Sequence, residues 1–352
     1  MTPSLKNILV LRLSSIGDII LTTPFLRVLK HRYPGCTVQF AVRREFSDLL
    51  RHNPHIDNLI TIDTSEGGNA LRGLNLALTR ERFDAVFDLH NNFRTRVLRN
   101  GLSRQMHTID KRAWRRLLLV TAHVNLYHTV VPVAERYIET GRDYGLRPDA
   151  GAPEIHFTED VRGRARLRLR AAGWRTDVPL VGLCPGAKHY TKRWPSERWV
   201  DLARLLFARG YDIVLFGNDA DADTAQAVRA VDPSRVHDCT GRLSLLETAA
   251  AMTFCRALFT NDSGLMHMAT AVGKPVVAIF GSTVREFGFY PYNTPAAVLE
   301  VDGLACRPCT HIGRADCPRR HLGCLRLITA GDAIEALEEL MRDDEQPGTG
   351  SP

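Results

Sequence analysis

The segment Ser14-Ser15-Ile16-Gly17-Asp18 sets a carboxylate just after a glycine turn, behind the apolar run Asn7 to Leu13. Gly17 permits a turn that a side chain would resist, and Asp18 stands where a helix begins. Its carboxylate either caps that helix or faces a ligand at the carboxyl edge of the strand, where it can take a proton from an attacking hydroxyl. A second constellation runs from Phe259 to His267, with Asn261, Asp262, Ser263 and Gly264 at its centre. A strand ends there in small polar residues and a helix opens near Ser263, whose free N–H groups and positive dipole end suit a diphosphate. His267, one turn on, either donates to the same phosphates or packs in the core. The third is Pro185-Gly186-Ala187 with Lys192-Arg193-Trp194-Pro195, again behind a strand. Lys192 either neutralises a departing nucleotide diphosphate or sits in an ordinary basic loop.

Other motifs narrow the chemistry. The Ser14–Asp18 turn lacks G-x-G-x-x-G, and G-x-x-x-x-G-K-[ST] is absent throughout, which weighs against a nicotinamide enzyme and a P-loop ATPase. The acidic run Asp219 to Asp223 lacks the glycine and distal glutamate of an EF-hand, and it opens a helix whose dipole favours acids. Cys306, Cys309, Cys317 and Cys324 crowd into one segment with His311 and His321. The Cys-x2-Cys start suits a tetrahedral structural zinc, but the second pair does not repeat that spacing, so packed free thiols remain equally open. Cys36, Cys184, Cys239 and Cys255 read as buried thiols of a reducing compartment.

The elements that must position these residues follow from hydrophobic pattern. A strand at Asn7 to Leu13, a helix from about Asp18 to Arg32 closed by Pro34-Gly35, and a strand at Thr37 to Val42 form a βαβ unit of a parallel sheet. Leu59 to Ile62 and Ala85 to Leu89 continue the series. A second series begins at Leu180 to Leu183, followed by a helix at Ser196 to Arg209 and strands at Asp212 to Phe216, Ala257 to Thr260 and Val276 to Phe280. The expectation is an α/β protein of two Rossmann-like domains, 1–165 and 175–328, whose parallel sheets face a central cleft. A C-terminal helix at 329–342 and a flexible tail at 343–352 follow.

With 352 residues, 44% hydrophobic and 24% charged, the chain has apolar material for two cores. No run approaches the roughly 18 to 20 apolar residues that span a bilayer, and the start lacks a secretory signal, so a cytoplasmic protein is expected. The net charge of +7 invites an acidic partner. The excess gathers between Asn91 and Arg116, where Arg94, Arg96, Arg99, Arg104, Lys111, Arg112, Arg115 and Arg116 oppose only Asp110. This is either a solvated face or, with Trp114 among the arginines, a peripheral contact with an anionic membrane surface.

Taken in order, Arg12-Leu13-Ser14-Ser15-Ile16-Gly17-Asp18, Lys192-Arg193-Trp194-Pro195 and Asn261 to His267 resemble glycosyltransferase family 9, the ADP-heptose:lipopolysaccharide heptosyltransferases. The resemblance spans about Lys6 to Ile328. It implies the GT-B fold, with the acceptor in the N-terminal domain and the donor mainly in the C-terminal one. It also implies inverting, metal-independent transfer from a nucleotide-heptose to a phosphorylated or acidic glycolipid, with no cofactor beyond that co-substrate. By position, Asp18 is similar to the family's catalytic base and Lys192 to its donor-phosphate lysine. Asp262, Ser263, Gly264, Leu265 and His267 match the donor loop, and Asp219 falls where relatives hold the nucleoside with glutamate. Where some members use threonines before the lysine, this chain has Gly186 and Ala187, leaving backbone N–H groups or Thr191. Arg94, Lys111 and Arg112 are expected to face the acceptor. The rival readings are a nucleotide-sugar 2-epimerase of the same fold and, from another class, a basic nucleic-acid-binding protein, for which no recognition motif is present.

Overall fold

The computed structural model describes residues 5–63 and 67–345. The expected tail therefore lies outside the described residues from 346 onward. The chain divides into two compact units, Met1–Ala113 with Val131–His156, and Trp114–Val130 with Phe157–Pro352.

The first unit is built on β1 (Asn7–Leu11), α1 (Ile16–Ile20), α2 (Thr23–Arg32), β2 (Thr37–Arg43), β3 (Asn58–Ile62), α3 (Gly67–Leu78), β4 (Ala85–Asp88), α4 (Phe93–Arg99) and β5 (Met106–Thr108). Its sheet is parallel throughout, in the order β3-β2-β1-β4-β5. Ile8 lies opposite Val38 on one side and Ala85 on the other. A strand covered on both faces must be apolar at every position, and Ile8 to Leu11 are fully buried. The single helix expected from Asp18 to Arg32 is instead two. Pro24 lies in the first turn of α2, where its missing N–H costs nothing. The hydroxyls of Thr22 and Thr23 donate to the Ile19 and Ile20 carbonyls and close α1. Asp18 thus sits on a short helix of its own.

The chain next forms α5 (Ala113–Thr121), most of which belongs to the second unit, and α6 (Val133–Glu139), which returns to the first and packs on α2. The second unit continues with α7 (Glu159–Ala171), β6 (Leu180–Cys184), α8 (Ser196–Ala208), β7 (Asp212–Leu215), α9 (Ala222–Arg229), β8 (Val236–Asp238), α10 (Leu245–Met252), β9 (Leu258–Asn261), α11 (Gly264–Ala271), β10 (Val276–Ile279), β11 (Ala296–Leu299), α12 (Gly323–Arg326) and α13 (Ala330–Glu345). Its six strands are parallel in the order β11-β10-β9-β6-β7-β8.

The junction lies at His156–Phe157, earlier than the expected gap between 165 and 175. The arginine-rich run beyond it is α7. It buries Val161, Ala165 and Leu169 against α10, and Arg164 reaches Glu247 at 3.5 Å. The last helix is not an appendage. Ile334 and Leu337 share one core with Trp199 and Leu202 of α8, and α13 runs to Glu345, past the expected 342.

Candidate active site

Each sheet has one point where the strand order reverses, and ligands of open α/β sheets bind outside the carboxyl ends of the strands there. In the first unit that point lies between β1 and β4, and both of its loops carry polar side chains. Asp18 is held from two sides. Its Oδ1 pairs with Nη2 of Arg12 at 2.6 Å, while its Oδ2 accepts from Ser15 Oγ at 2.8 Å and from Ser15 N–H at 3.3 Å. The second set is the cap that the sequence allowed. The first has no part in capping. Arg12 also donates to the Ser14 and Leu89 carbonyls, and its guanidinium lies 5.7 Å from the Tyr137 ring centroid.

His90 follows β4 and receives the Leu13 N–H on Nδ1 at 3.2 Å. Burial first, then the nearby Arg12, push its pKa down to about 3, with Lys111 and Arg94 adding to the effect. Two of the three expected acceptor-side cations, Arg94 and Lys111, therefore share the surroundings of His90. Arg112 is turned to Glu139 on α6, at 3.7 Å. Within the same basic run Arg99 is spent on structure, pairing at 2.9 Å with the buried Asp88, whose other oxygen accepts the His90 and Asn91 N–H groups.

In the second unit the reversal lies between β6 and β9. The loop after β6 carries Lys192, and the loop after β9 carries Asp262, Ser263 and Gly264. Lys192 Nζ meets Asp262 Oδ2 at 2.7 Å, and Thr283 Oγ1 donates to the same oxygen at 2.6 Å. Asn261 locks the two loops together, accepting the Trp194 N–H at 3.1 Å and donating to the Pro185 carbonyl at 2.6 Å. Trp194 is anchored in turn, its indole N–H on the Ile328 carbonyl and its ring edge-on to Trp199. Ser263 is the N-cap of α11, with its Oγ buried and unbonded within the protein. Such a helix start offers N–H donors and a positive dipole end to an anion. His267 is buried one turn along, its ring edge-on to Phe289, while Leu265 is half-buried.

Asp219 is exposed on the loop after β7, beside Gly241. The buried acid of that run is Asp221, which accepts the Asn218 N–H at 2.9 Å. Its carboxylate lies where a Cβ on Gly186 would stand, 2.3 Å from Oδ2, so any side chain at 186 would displace it. The absence of a threonine there thus has a packing reason. Thr191, the other candidate, is buried, and its Oγ1 accepts the Arg314 N–H at 2.9 Å.

That bond belongs to the cysteine-rich segment, which is far from the loops in sequence but not in space. Cys306, Cys309, Cys317 and Cys324 are free thiols lining, with Thr191, Ser282 and His321, a cavity of about 20 Å³. Among the described residues no group of three or more His, Cys, Asp or Glu side chains is placed to hold a metal ion, so the zinc expectation finds no support. What the segment does is brace the lysine loop. Thr191 and Arg314 exchange hydrogen bonds, and Gly313 abuts His189 so closely that a Cβ would collide with it.

Sequence reasoning missed Arg12, His90, Tyr137, Asn261 and Thr283. Arg12 and Asn261 stood inside motifs already singled out, yet the Leu89 carbonyl on Arg12 and the Trp194 and Pro185 backbone groups on Asn261 are distant in sequence and left no local signal.

Two parallel α/β units, each with a polar cluster where its strand order reverses, define the GT-B class, the two-domain architecture of nucleotide-sugar glycosyltransferases. The chain belongs to glycosyltransferase family 9 (heptosyltransferase), whose family model matches residues 71–317, and it is therefore a glycosyltransferase. The lipooligosaccharide heptosyltransferase 2 of Haemophilus influenzae is 27% identical, covering 95% of this chain and 99% of its own. The lipopolysaccharide heptosyltransferase 2 of Salmonella typhimurium is 27% identical over 80% of this chain and 84% of its own. Among solved structures, a family 9 glycosyl transferase from Veillonella parvula superposes with a TM-score of 0.80 at 28% identity, covering 97% of this chain and 99% of its own. The ADP-heptose lps heptosyltransferase II of E. coli gives 0.73 at 25%, covering 97% and 100%.

Proposed function

We propose that this chain transfers heptose, with inversion, from ADP-heptose to a lipopolysaccharide-core or similar acidic glycolipid acceptor. The first unit takes the acceptor and the second the donor. The observation that carries this reading is the Lys192–Asp262 pair beside the opening of α11. A cation and a row of N–H donors converge at one sheet's reversal point, where a diphosphate fits. The names of the relatives support heptose, ADP and lipopolysaccharide.

The chemistry is one displacement. An acceptor hydroxyl oxygen bonds to the anomeric carbon as the bond from that carbon to the diphosphate oxygen breaks, and Asp18 receives the hydroxyl proton. Lys192 and the α11 N–H groups stabilise the charge growing on the leaving diphosphate, which requires no metal. Asp262 and Thr283 hold Lys192 in place beforehand. Asp262, Ser263, Gly264, Leu265 and His267 line the donor side, with Asp219 toward the nucleoside. Arg94, Lys111 and Arg112 serve the acceptor. No helix among the described residues is long and apolar enough to cross a membrane, but α5 exposes Trp114, Leu117 and Leu118 on either side of Arg115 and Arg116, which supports a peripheral contact with an anionic membrane.

The test uses two variants, each titrated with ADP and assayed for transfer. Asp18→Asn keeps one oxygen for Arg12 but loses the base, the countercharge and the acceptor for the Ser15 N–H, so ADP affinity should hold and the melting temperature should fall, while transfer falls roughly 10²-fold or more. Lys192→Ala should weaken ADP binding and slow transfer together, by about 2.7 to 4 kcal/mol if it acts like an oxyanion donor. Near-normal transfer by Asp18→Asn would remove the base, and unchanged kinetics in Lys192→Ala would return that residue to the solvated loop.

A further inference from the structure

Arg12 is buried to 7% exposure, and each edge of its guanidinium has a fixed partner. Nε donates to the Ser14 carbonyl at 2.8 Å, Nη1 to the Leu89 carbonyl at 2.6 Å, and Nη2 meets Asp18 Oδ1 at 2.6 Å. Ser14 lies in the loop after β1 and Leu89 just past β4. One rigid planar cation therefore ties together both sides of the reversal point and presents its remaining edge to one carboxylate oxygen. The helix cap uses only the other oxygen, through Ser15. Capping α1 does not call for a buried arginine.

We propose that Arg12 is a positioning residue for the transfer reaction, fixing the plane of the Asp18 carboxylate toward the acceptor hydroxyl. This rests on Asp18 being the base. A guanidinium this close also favours the charged carboxylate over the acid. The other groups facing the pair keep one charge state across neutral pH. His90, beyond β4, is neutral, its pKa pushed down to about 3. Tyr137 on α6 stays protonated, because burial raises its pKa further. Asp88 is paired with Arg99, and Arg136 on α6 is a cation held by the Val131 carbonyl. Changing Arg12 also removes one of the influences that lower the His90 pKa, so the profiles are measured in a His90→Gln background as well, where a shift of the acid limb reports on Asp18.

The experiment measures transfer by the full chain from pH 5 to 9 for Arg12→Lys and Arg12→Gln, alongside ADP titration and a melting curve. Arg12→Lys keeps a buried cation and guards against a mere folding failure. ADP affinity should stay within about twofold, and the high-pH plateau of kcat should drop about tenfold or more as the base loses its alignment. The acid limb should move to higher pH by about one unit or more in Arg12→Gln, and by less in Arg12→Lys. A lowered plateau with the acid limb unmoved in both variants would overturn the proposal, because a purely structural role scales the rate without shifting its pH dependence. Asp18→Asn, assayed beside them, separates the two ideas. If that variant is inactive and the Arg12 limbs stay put, only the positioning role fails; if it transfers normally, the base assignment itself fails.

Discussion

A histidine flanked by an arginine, a lysine and an aspartate invites an acid–base reading, yet the surroundings of His90 hold it neutral. The Leu13 N–H occupies the Nδ1 lone pair, and burial with Arg12 lowers the pKa to about 3. A folded-state value below the unfolded value of about 6.5 means that the unfolded chain takes up the proton first as pH falls. The stabilisation is complete above about pH 6.5 and drains away toward pH 3, reaching about 2 kcal/mol lost by pH 5. Urea unfolding at pH 7.5 and pH 5 should show that loss in the native chain and not in His90→Gln, whose amide oxygen can accept the same N–H. Equal losses in both would mean that folded His90 is protonated. The residues legible in the sequence were those announced by a local event, such as Asp18 where the first strand gives way to a helix and Lys192 before Trp194-Pro195; Gly17 itself is not a turn but lies within α1. Arg12 stood in the same motif, but the carbonyl that fixes it, Leu89, is 77 positions away, and no local pattern encodes such a pairing.

Strands were easier to read than the helices between them. Continuous apolar runs marked the buried strands of both sheets, because a parallel sheet covered on both faces admits little else. The α1–α2 break was marked in the sequence by Pro24, which suits the first turn of a helix and not the interior of the longer one expected there, and the threonine hydroxyls on Ile19 and Ile20 close α1 ahead of it. α7 buries a narrow apolar stripe, Val161, Ala165 and Leu169, among its arginines. On α5 the pattern is reversed, with Trp114 80% exposed and Leu117 49%. If this helix meets an anionic bilayer, the native chain should sediment with phosphatidylglycerol vesicles more than with phosphatidylcholine vesicles, and less so as salt rises. Trp114→Ala with Leu117→Ser should lose that binding while melting nearly unchanged, since both sites are exposed. Equal sedimentation of variant and native chain would dissociate α5 from the membrane.

For the molecule as a whole, the proposed division of labour between the units makes a spatially resolved prediction. ADP bound to the second unit alone should protect backbone amides around 185–194 and 261–267 from exchange and leave the β1–β4 loops of the first unit unchanged. At a hundredfold excess over its dissociation constant the nucleotide should add about 2.7 kcal/mol of stability. Hydrogen-exchange mass spectrometry reads both regions in one experiment, and protection confined to the β1 loop would reverse the donor and acceptor assignments. The two-sheet architecture was legible as two βαβ series. The exact partition was not, because the chain leaves the first unit at Trp114 and returns at Val131 before leaving finally at Phe157.

That excursion bears on how such enzymes exchange parts. Residues 114–130 are encoded within the first unit's stretch of gene but fold with the second, where Asn125 donates to Glu286 at 2.9 Å and Arg116 lies close enough to His311 to lower its pKa. A hybrid of two relatives joined once at His156–Phe157 would set one parent's 114–130 against the other parent's Glu286 and His311. Recombination that trades whole first units between family members must therefore cut the gene three times, keeping the inserted segment with the unit it folds against.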